Sequence, residues 1–239
     1  GGYDNPVLPA PLVNNSQVVC AQPNDNIAPC APLGVAVSNS YDCESGDDAA
    51  DCLEMTYENM ISWVENESTQ CDDDVIYFRV YFSPTGLDQD FYLLDSTVET
   101  SYQHSIWNSF KGCYRITAVD RSLNESDFSD TSCIDNCPQF ILPNAFSPNG
   151  DGFNDTFRPM YCPRFILGVS FKIFDRTGKQ VFDLKFEKEP SILIHWDGKN
   201  NVGSPLAAGV YFYVSEVTFD VLPSAKQKKT YKGWIQLLK

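Results

Sequence analysis

The chain has 239 residues, 43% of them hydrophobic and 13% aromatic, and carries a net charge of −15. That length suits two domains with a core each. The absence of any run of 18 apolar residues excludes a helical membrane span. Charge is unevenly divided: residues 1–138 hold 4 Lys and Arg against 23 Asp and Glu, a net of −19, whereas residues 139–239 hold 13 against 9, a net of +4. Phosphates would be repelled by the acidic part, so nucleic acid is a poor partner.

Residues 1–29 contain five prolines, too little structure-forming sequence for a domain. They echo residues 120–138: Asp4 through Cys20 to Cys30 and Pro32 parallels Asp120 through Cys133 to Cys137 and Pro138. We read this as the end of a preceding repeat in a tandem array, within a much longer protein. No signal peptide opens the chain, so an export signal is expected upstream.

Between residues 30 and 138, GVAVSNSY, EMTYENMISWV, VIYFRVYFS, FYLLDST, TSYQHSIW and CYRITAVD are short β-branched and aromatic runs. Turn-rich breaks separate them and no helical period appears, which predicts a two-sheet sandwich. Trp63 is expected in the core, while Trp107 is the better surface contact. The acidic cluster Asp72, Asp73 and Asp74 reads as a solvated face able to attract divalent ions.

Nine cysteines without a Cys-x-x-Cys pair argue for disulfides outside the cytosol. Connectivity does not follow from sequence. The pairings we favour are Cys71–Cys113, Cys43–Cys52, Cys133–Cys137 and Cys20–Cys30, leaving Cys162 as the odd thiol.

The segment FSPNGDGFNDTF, residues 146–157, sets Asn149, Asp151 and Asp155 at alternate positions around two glycines. On an EF-hand template Ser147, Asn149 and Asp151 are positions one, three and five, the Phe153 carbonyl is seven and Asp155 is nine. Position twelve is Arg158 rather than a bidentate Glu, so the set is incomplete. Calcium held by Asn149, Asp151, Phe153 and Asp155 is one reading; a metal-free Asn-Gly and Asp-Gly turn is the other.

From residue 139 onward FILGVSFKIFD, KQVFDLKF, ILIHW, GVYFYVSEVTF and TYKGWIQLLK read as strands of a second sandwich. Asp175–Gly178, Asp197-Gly198, Asn201–Gly203 and Ala208-Gly209 are expected turns. The last strand alternates Tyr231, Gly233, Ile235 and Leu237 against Lys232, Trp234, Gln236 and Leu238, apolar on both faces. Lys228, Lys229, Lys232, Trp234, Ile235 and Leu237 are the candidate partner-binding residues. Neither histidine, His104 nor His195, lies in a catalytic motif, and His195 is expected in a structural role between its neighbours. We read the chain as non-enzymatic.

The blocks LPNAFSPNGDGFNDTF, FKIFDRTGKQVFD, WDGKNNVGSPLAAGVYFY and KGWIQLL follow one another to the C-terminus. Together they resemble the type B C-terminal sorting domain of the type IX secretion system, also called the gliding motility-associated C-terminal domain. Ser147, where Thr is common, and Cys162 depart from its pattern. Trp63 and the Tyr114 run similarly resemble a fibronectin type III module, with the Trp on strand B and the Tyr on strand F. The expected architecture is all-β: residues 1–29 as repeat end and linker, 30–138 as a fibronectin III-like sandwich, 139–239 as the sorting domain, giving two tandem immunoglobulin/fibronectin III-like β-sandwiches. The resemblance implies passage through the type IX translocon and attachment to a PorP/SprF-type outer-membrane β-barrel, with the cargo, a gliding-type adhesin, left on the cell surface. The alternatives are a calcium-dependent carbohydrate-binding module, with Trp107 or Trp234 stacking a sugar, and the tail of a secreted enzyme with spacer domains.

Overall fold

A computed structural model describes residues 25–41, 43, 56–68, 71, 74–187, 194–223 and 227–238. The described residues form strands, loops and one 3₁₀ turn at Asp88–Asp90. The N-terminal run of short alternating segments becomes β1 (Leu33–Asn39), β2 (Thr56–Val64), β3 (Val75–Ser83), β4 (Tyr92–Thr97), β5 (Ser101–Trp107), β6 (Gly112–Asp120) and β7 (Ser132–Ile134). One sheet has the order β1-β2-β5 and the other β4-β3-β6-β7, with antiparallel pairs throughout. Three strands facing four in this order make a fibronectin III-like sandwich.

Alternation places the core. On β2, Tyr57, Asn59, Ile61 and Trp63 point inward while the residues between them are exposed. Trp63 meets Phe78 edge-on at 5.5 Å, and with Val80, Phe82, Tyr114 and Ile116 it fills the gap between the sheets. A polar side chain among these must be satisfied. Asn59, fully buried, donates to the Phe110 carbonyl and to the Tyr114 hydroxyl and accepts from Asn39. Trp107 ends β5 with its ring 60% exposed, a strand position rather than a loop.

The remaining strands are β8 (Gln139–Ile141), β9 (Ala145–Phe146), β10 (Met160–Arg164), β11 (Ile166–Phe174), β12 (Gln180–Glu187), β13 (Gly209–Phe219) and β14 (Lys228–Leu237). A five-stranded sheet runs β12-β11-β13-β14-β9, and β8 pairs with β10. The β9–β14 pairing is parallel. The expected strand ILIHW is only partly described; there, Trp196 makes a single bridge to Phe157. Trp196 and Phe157 are fully buried with Phe171, Ile173 and Ile235. His195 points outward and is exposed, so it does not take the structural place expected for it. At the β11–β12 reversal Asp175 Oδ1 accepts from the Thr177 and Lys179 amides, and Gly178 takes φ +84°.

The disulfides differ from those expected. Cys30 bonds Cys71, Cys43 bonds Cys137, and Cys113 bonds Cys133. Cys113 and Cys133 are cross-strand neighbours on β6 and β7, so strand register, not loop length, brings them together. That rules out both Cys71–Cys113 and Cys133–Cys137. Likewise Cys43–Cys137 replaces Cys43–Cys52, and Cys30–Cys71 replaces Cys20–Cys30. Cys20 and Cys52 lie outside the described residues. Cys162 is also disulfide-bonded, so it is not the spare thiol. That expectation assumed no cross-link between the two halves.

Candidate functional site

β13 has alternate residues buried: Tyr211, Ser215, Val217 and Phe219 face the core, while Val210, Phe212 and Glu216 are exposed. Register then builds the outer face. Phe212 lies between Phe174 on β11 and Trp234 on β14, and Val214 lies between Lys172 and Lys232. A row of three aromatics thus crosses three adjacent strands, beside a row of lysine, valine and lysine. Cross-strand neighbours stand about 4.5–5.5 Å apart at Cβ, so these side chains form a continuous surface. Phe212 and Trp234 are each 49% exposed, and exposed apolar patches of this kind mark interaction sites.

The same alternation divides the predicted partner-binding residues. Trp234, Lys228, Lys229 and Lys232 are exposed. Ile235 and Leu237 are 0% and 2% exposed and belong to the core, so they cannot meet a partner on the folded domain. Phe174 and Phe212 were missed as site residues, although alternation in GVYFYVSEV already set Phe212 on the face opposite Tyr211.

β14 also has a partly open edge. The amides of Gln236 and Leu238 donate to Asn144 and Phe146 alongside β9. Backbone groups two residues apart point to the same side, so those of Thr230, Lys232 and Trp234 point along this edge. Among the described residues no strand pairs with them there. An edge of this type accepts an added strand, and lysines along it discourage indiscriminate pairing.

The 146–157 segment is a self-capped loop. Asp155 accepts from the Gly150 amide with Oδ1 and from the Gly152 amide with Oδ2, at 2.6 and 2.8 Å. Asp151 accepts from the Phe153 amide and from Asn149 Nδ2, and Asn149 Oδ1 accepts from the Asp151 amide. The Phe153 amide, followed by Asn149, holds the Asp151 carboxyl below its ordinary range. Gly150, Gly152 and Asn154 take left-handed φ values of +80°, +87° and +51°. All four carboxylate oxygens thus already accept N–H donors of the loop. The EF-hand ligand set is incomplete at position twelve, where Arg158 stands.

In the N-terminal sandwich, Asp25, Asp74 and Asp120 each bring a carboxylate oxygen within 4.8 Å of the others. Asn124 serves both oxygens of the buried Asp120 with its amide and its Nδ2. Asn124 Nδ2 also donates to the Asp25 and Ile27 carbonyls, and this ties the segment before β1 to the turn after β6. Asp72 and Asp73 lie outside the described residues.

Residues 140–237 match the family model of the CHU_C Type IX secretion signal domain. No curated protein matches the chain. Among solved structures, dimeric latent PorU from Porphyromonas gingivalis is similar at 18% identity, with a TM-score of 0.29, over 87% of this chain and 20% of that one. A tetra-tandem repeat from the extending region of a large adhesion protein is similar at 13% identity and TM-score 0.37, over 84% of this chain and 49% of that one. A two-domain fibronectin type III segment of chicken tenascin is similar at 11% identity and TM-score 0.36, over 86% of this chain and 99% of that one. The chain spans a fifth of the PorU structure and about half of the adhesion repeat. The C-terminal part of the chain, residues 140–237, is a type IX secretion signal domain following a fibronectin III-like sandwich.

Proposed function

We propose that the outer face of the C-terminal sheet is the surface by which the type IX machinery takes hold of this protein. The observation that carries the reading is the exposed cross-strand pair Phe212 and Trp234, continued by the half-buried Phe174, flanked by Lys172 and Lys232 and bordered by the open edge of β14. Apolar contact supplies affinity, the lysines favour an acidic partner surface, and the edge offers main-chain hydrogen bonds to an incoming strand. A PorP/SprF-type outer-membrane β-barrel receives the domain and holds it at the cell surface. The acidic sandwich upstream is a stalk or adhesive unit of a gliding-type adhesin, with no catalytic role.

Removal of residues 140–239 tests the address: the truncated protein accumulates in the periplasm, and normal surface display would defeat the reading. Trp234→Ala combined with Phe212→Ala tests the face. That variant folds but loses capture by the outer-membrane β-barrel.

A further inference from the structure

We infer that the secretion signal works as a two-domain unit, in which the fibronectin III-like sandwich is a built-in seat for the sorting domain and Phe165 is the plug; this rests on the type IX reading above. Phe165 sits between β10 and β11 with φ +57°, a conformation that an aromatic L-residue rarely adopts. Its ring is 7% exposed, yet it is not part of the core of its own domain. Instead it packs against Tyr57 and Phe110 of the N-terminal sandwich, with ring centroids at 5.4 and 5.3 Å, and against Tyr41 at 6.1 Å. The left-handed backbone at this residue turns the side chain out of one sandwich and into the other.

The socket is prebuilt. Tyr57 and Phe110 meet edge-on at 5.3 Å, and Asn59 holds the Phe110 carbonyl. Polar contacts frame the plug. Asn136, 5% exposed, accepts from the Phe110 and Lys111 amides and donates to the Asp220 carbonyl at 2.8 Å. Lys111 pairs with the Asp220 carboxylate. Asp135 accepts from the Leu222 amide, and Arg164 donates to the Tyr57 hydroxyl at 3.2 Å. The connector is pinned as well, because Cys137 is bonded to Cys43 and packs against the aromatic cluster. Buried rings inside a satisfied polar frame have the layout of a protein interface, an apolar centre with a polar rim.

The plug also leaves the docking face free. Asp220 at the junction and Phe212 in the exposed pair are eight residues apart, a rise of about 26 Å along an extended chain. The export machinery therefore meets a face held at a fixed distance and orientation from the acidic sandwich.

Nuclear relaxation on the full 239-residue chain tests this. The two sandwiches are expected to share one rotational correlation time; two separate times would overturn the proposal. Phe165→Ala is made in a Cys162→Ser background, which removes the Cys162 disulfide. Cys162→Ser alone is expected to keep one time. The double variant is expected to give two while the resonances around Trp63 and Trp196 stay in place, and a single time in it would remove Phe165 as the plug. Should that variant unfold, hydrogen exchange on the unmodified chain decides. The Phe110 and Leu222 amides exchange as slowly as core amides if the junction is permanent, and rapid exchange overturns it. In a type IX-secreting host, the double variant lowers the displayed fraction several-fold. Wild-type display with uncoupled sandwiches would refute the two-domain signal. Failure of the secretion reading looks different: display then survives removal of residues 140–239.

Discussion

Phe212 and Trp234 are direct cross-strand partners on the outer face of the C-terminal sheet, and each leaves 49% of its surface in water. The next residue along, Ile235, has none exposed. Adjacent positions on β14 therefore separate recognition from stability. Trp234→Ala removes one member of an exposed cross-strand pair, about 0.2–1 kcal/mol of stability, and on the proposed docking face it is expected to abolish capture by the outer-membrane partner. Ile235→Ala opens a cavity in the core and costs about 2–5 kcal/mol. Thermal unfolding and pull-down of both variants check this, and equal destabilisation by the two would refute the division.

Gly112 begins β6 against the ring of Phe82. A Cβ there would lie 2.1 Å from Phe82 Cε2, and Phe82 is itself 4% exposed, with Tyr114 tilted against it at 5.0 Å. The ring has nowhere to retreat. Gly112→Ala is expected to destabilise the N-terminal sandwich by about 1–3 kcal/mol or more through overpacking. A melting temperature equal to wild type would show that Phe82 swings aside freely.

His104 sets a pH dependence. Its ring stacks edge-on with Phe82 at 4.7 Å, and Nδ1 lies 2.9 Å from the Tyr114 hydroxyl. That hydroxyl accepts from Asn59, so its own proton is directed to His104, which suits a neutral imidazole. Burial holds the His104 pKa below its ordinary 6.5. A depressed folded-state pKa contributes stability that is present above pH 6.5 and is lost as pH falls through the folded value. His104→Gln keeps a neutral polar group and removes the titration. Its melting temperature is expected to fall less than that of wild type between pH 7 and pH 5. Parallel pH profiles for the two proteins would place the titration elsewhere.

The loop at residues 147–155 is expected to keep its shape without a cation. Asp155→Ala removes both acceptors for the Gly150 and Gly152 amides, so it loosens the loop by the same amount in chelator and in calcium. Exchange rates of those two amides report it. A calcium-dependent rise in melting temperature that Asp151→Ala abolishes would instead establish an ion in the loop.

The strands of strong alternation were legible in advance: VIYFRVYFS is β3 end to end, and GVYFYVSEVTF is β13. A period of two over nine or eleven residues is a signal that burial on one face imposes. β7, β8 and β9 have two or three residues each, too few for any period to show, and the parallel seat of β9 beside β14 was accordingly missed. The two-faced apolar character of β14 was visible, but which face is buried depends on the sheet beneath it. Sequence also could not reveal Phe165, because nothing in its neighbours announces a left-handed backbone at an aromatic residue. The φ of +57° at Phe165 is what sets that ring among Tyr41, Tyr57 and Phe110.

Disulfides show the same limit and give the last test. Cysteines close in sequence invite short-loop pairings, yet Cys43 and Cys137 are 94 residues apart and join the end of the first strand region to the connector. Cys113 and Cys133, 20 apart, only reinforce strands that already pair. Chain-entropy estimates assign about 5 kcal/mol to a loop of the first size and about 3 kcal/mol to the second, as upper values that native strain and residual denatured structure reduce. Replacing Cys43 and Cys137 by Ser is therefore expected to lower the melting temperature more than replacing Cys113 and Cys133. The first pair of substitutions should also loosen the junction, since Cys137 packs beside Tyr57, Phe110 and Phe165. Non-reducing peptide mapping recovers Cys30–Cys71, Cys43–Cys137 and Cys113–Cys133 if the connectivity holds. Recovery of Cys133–Cys137 instead would break the β6–β7 register and, with it, the anchoring of the connector.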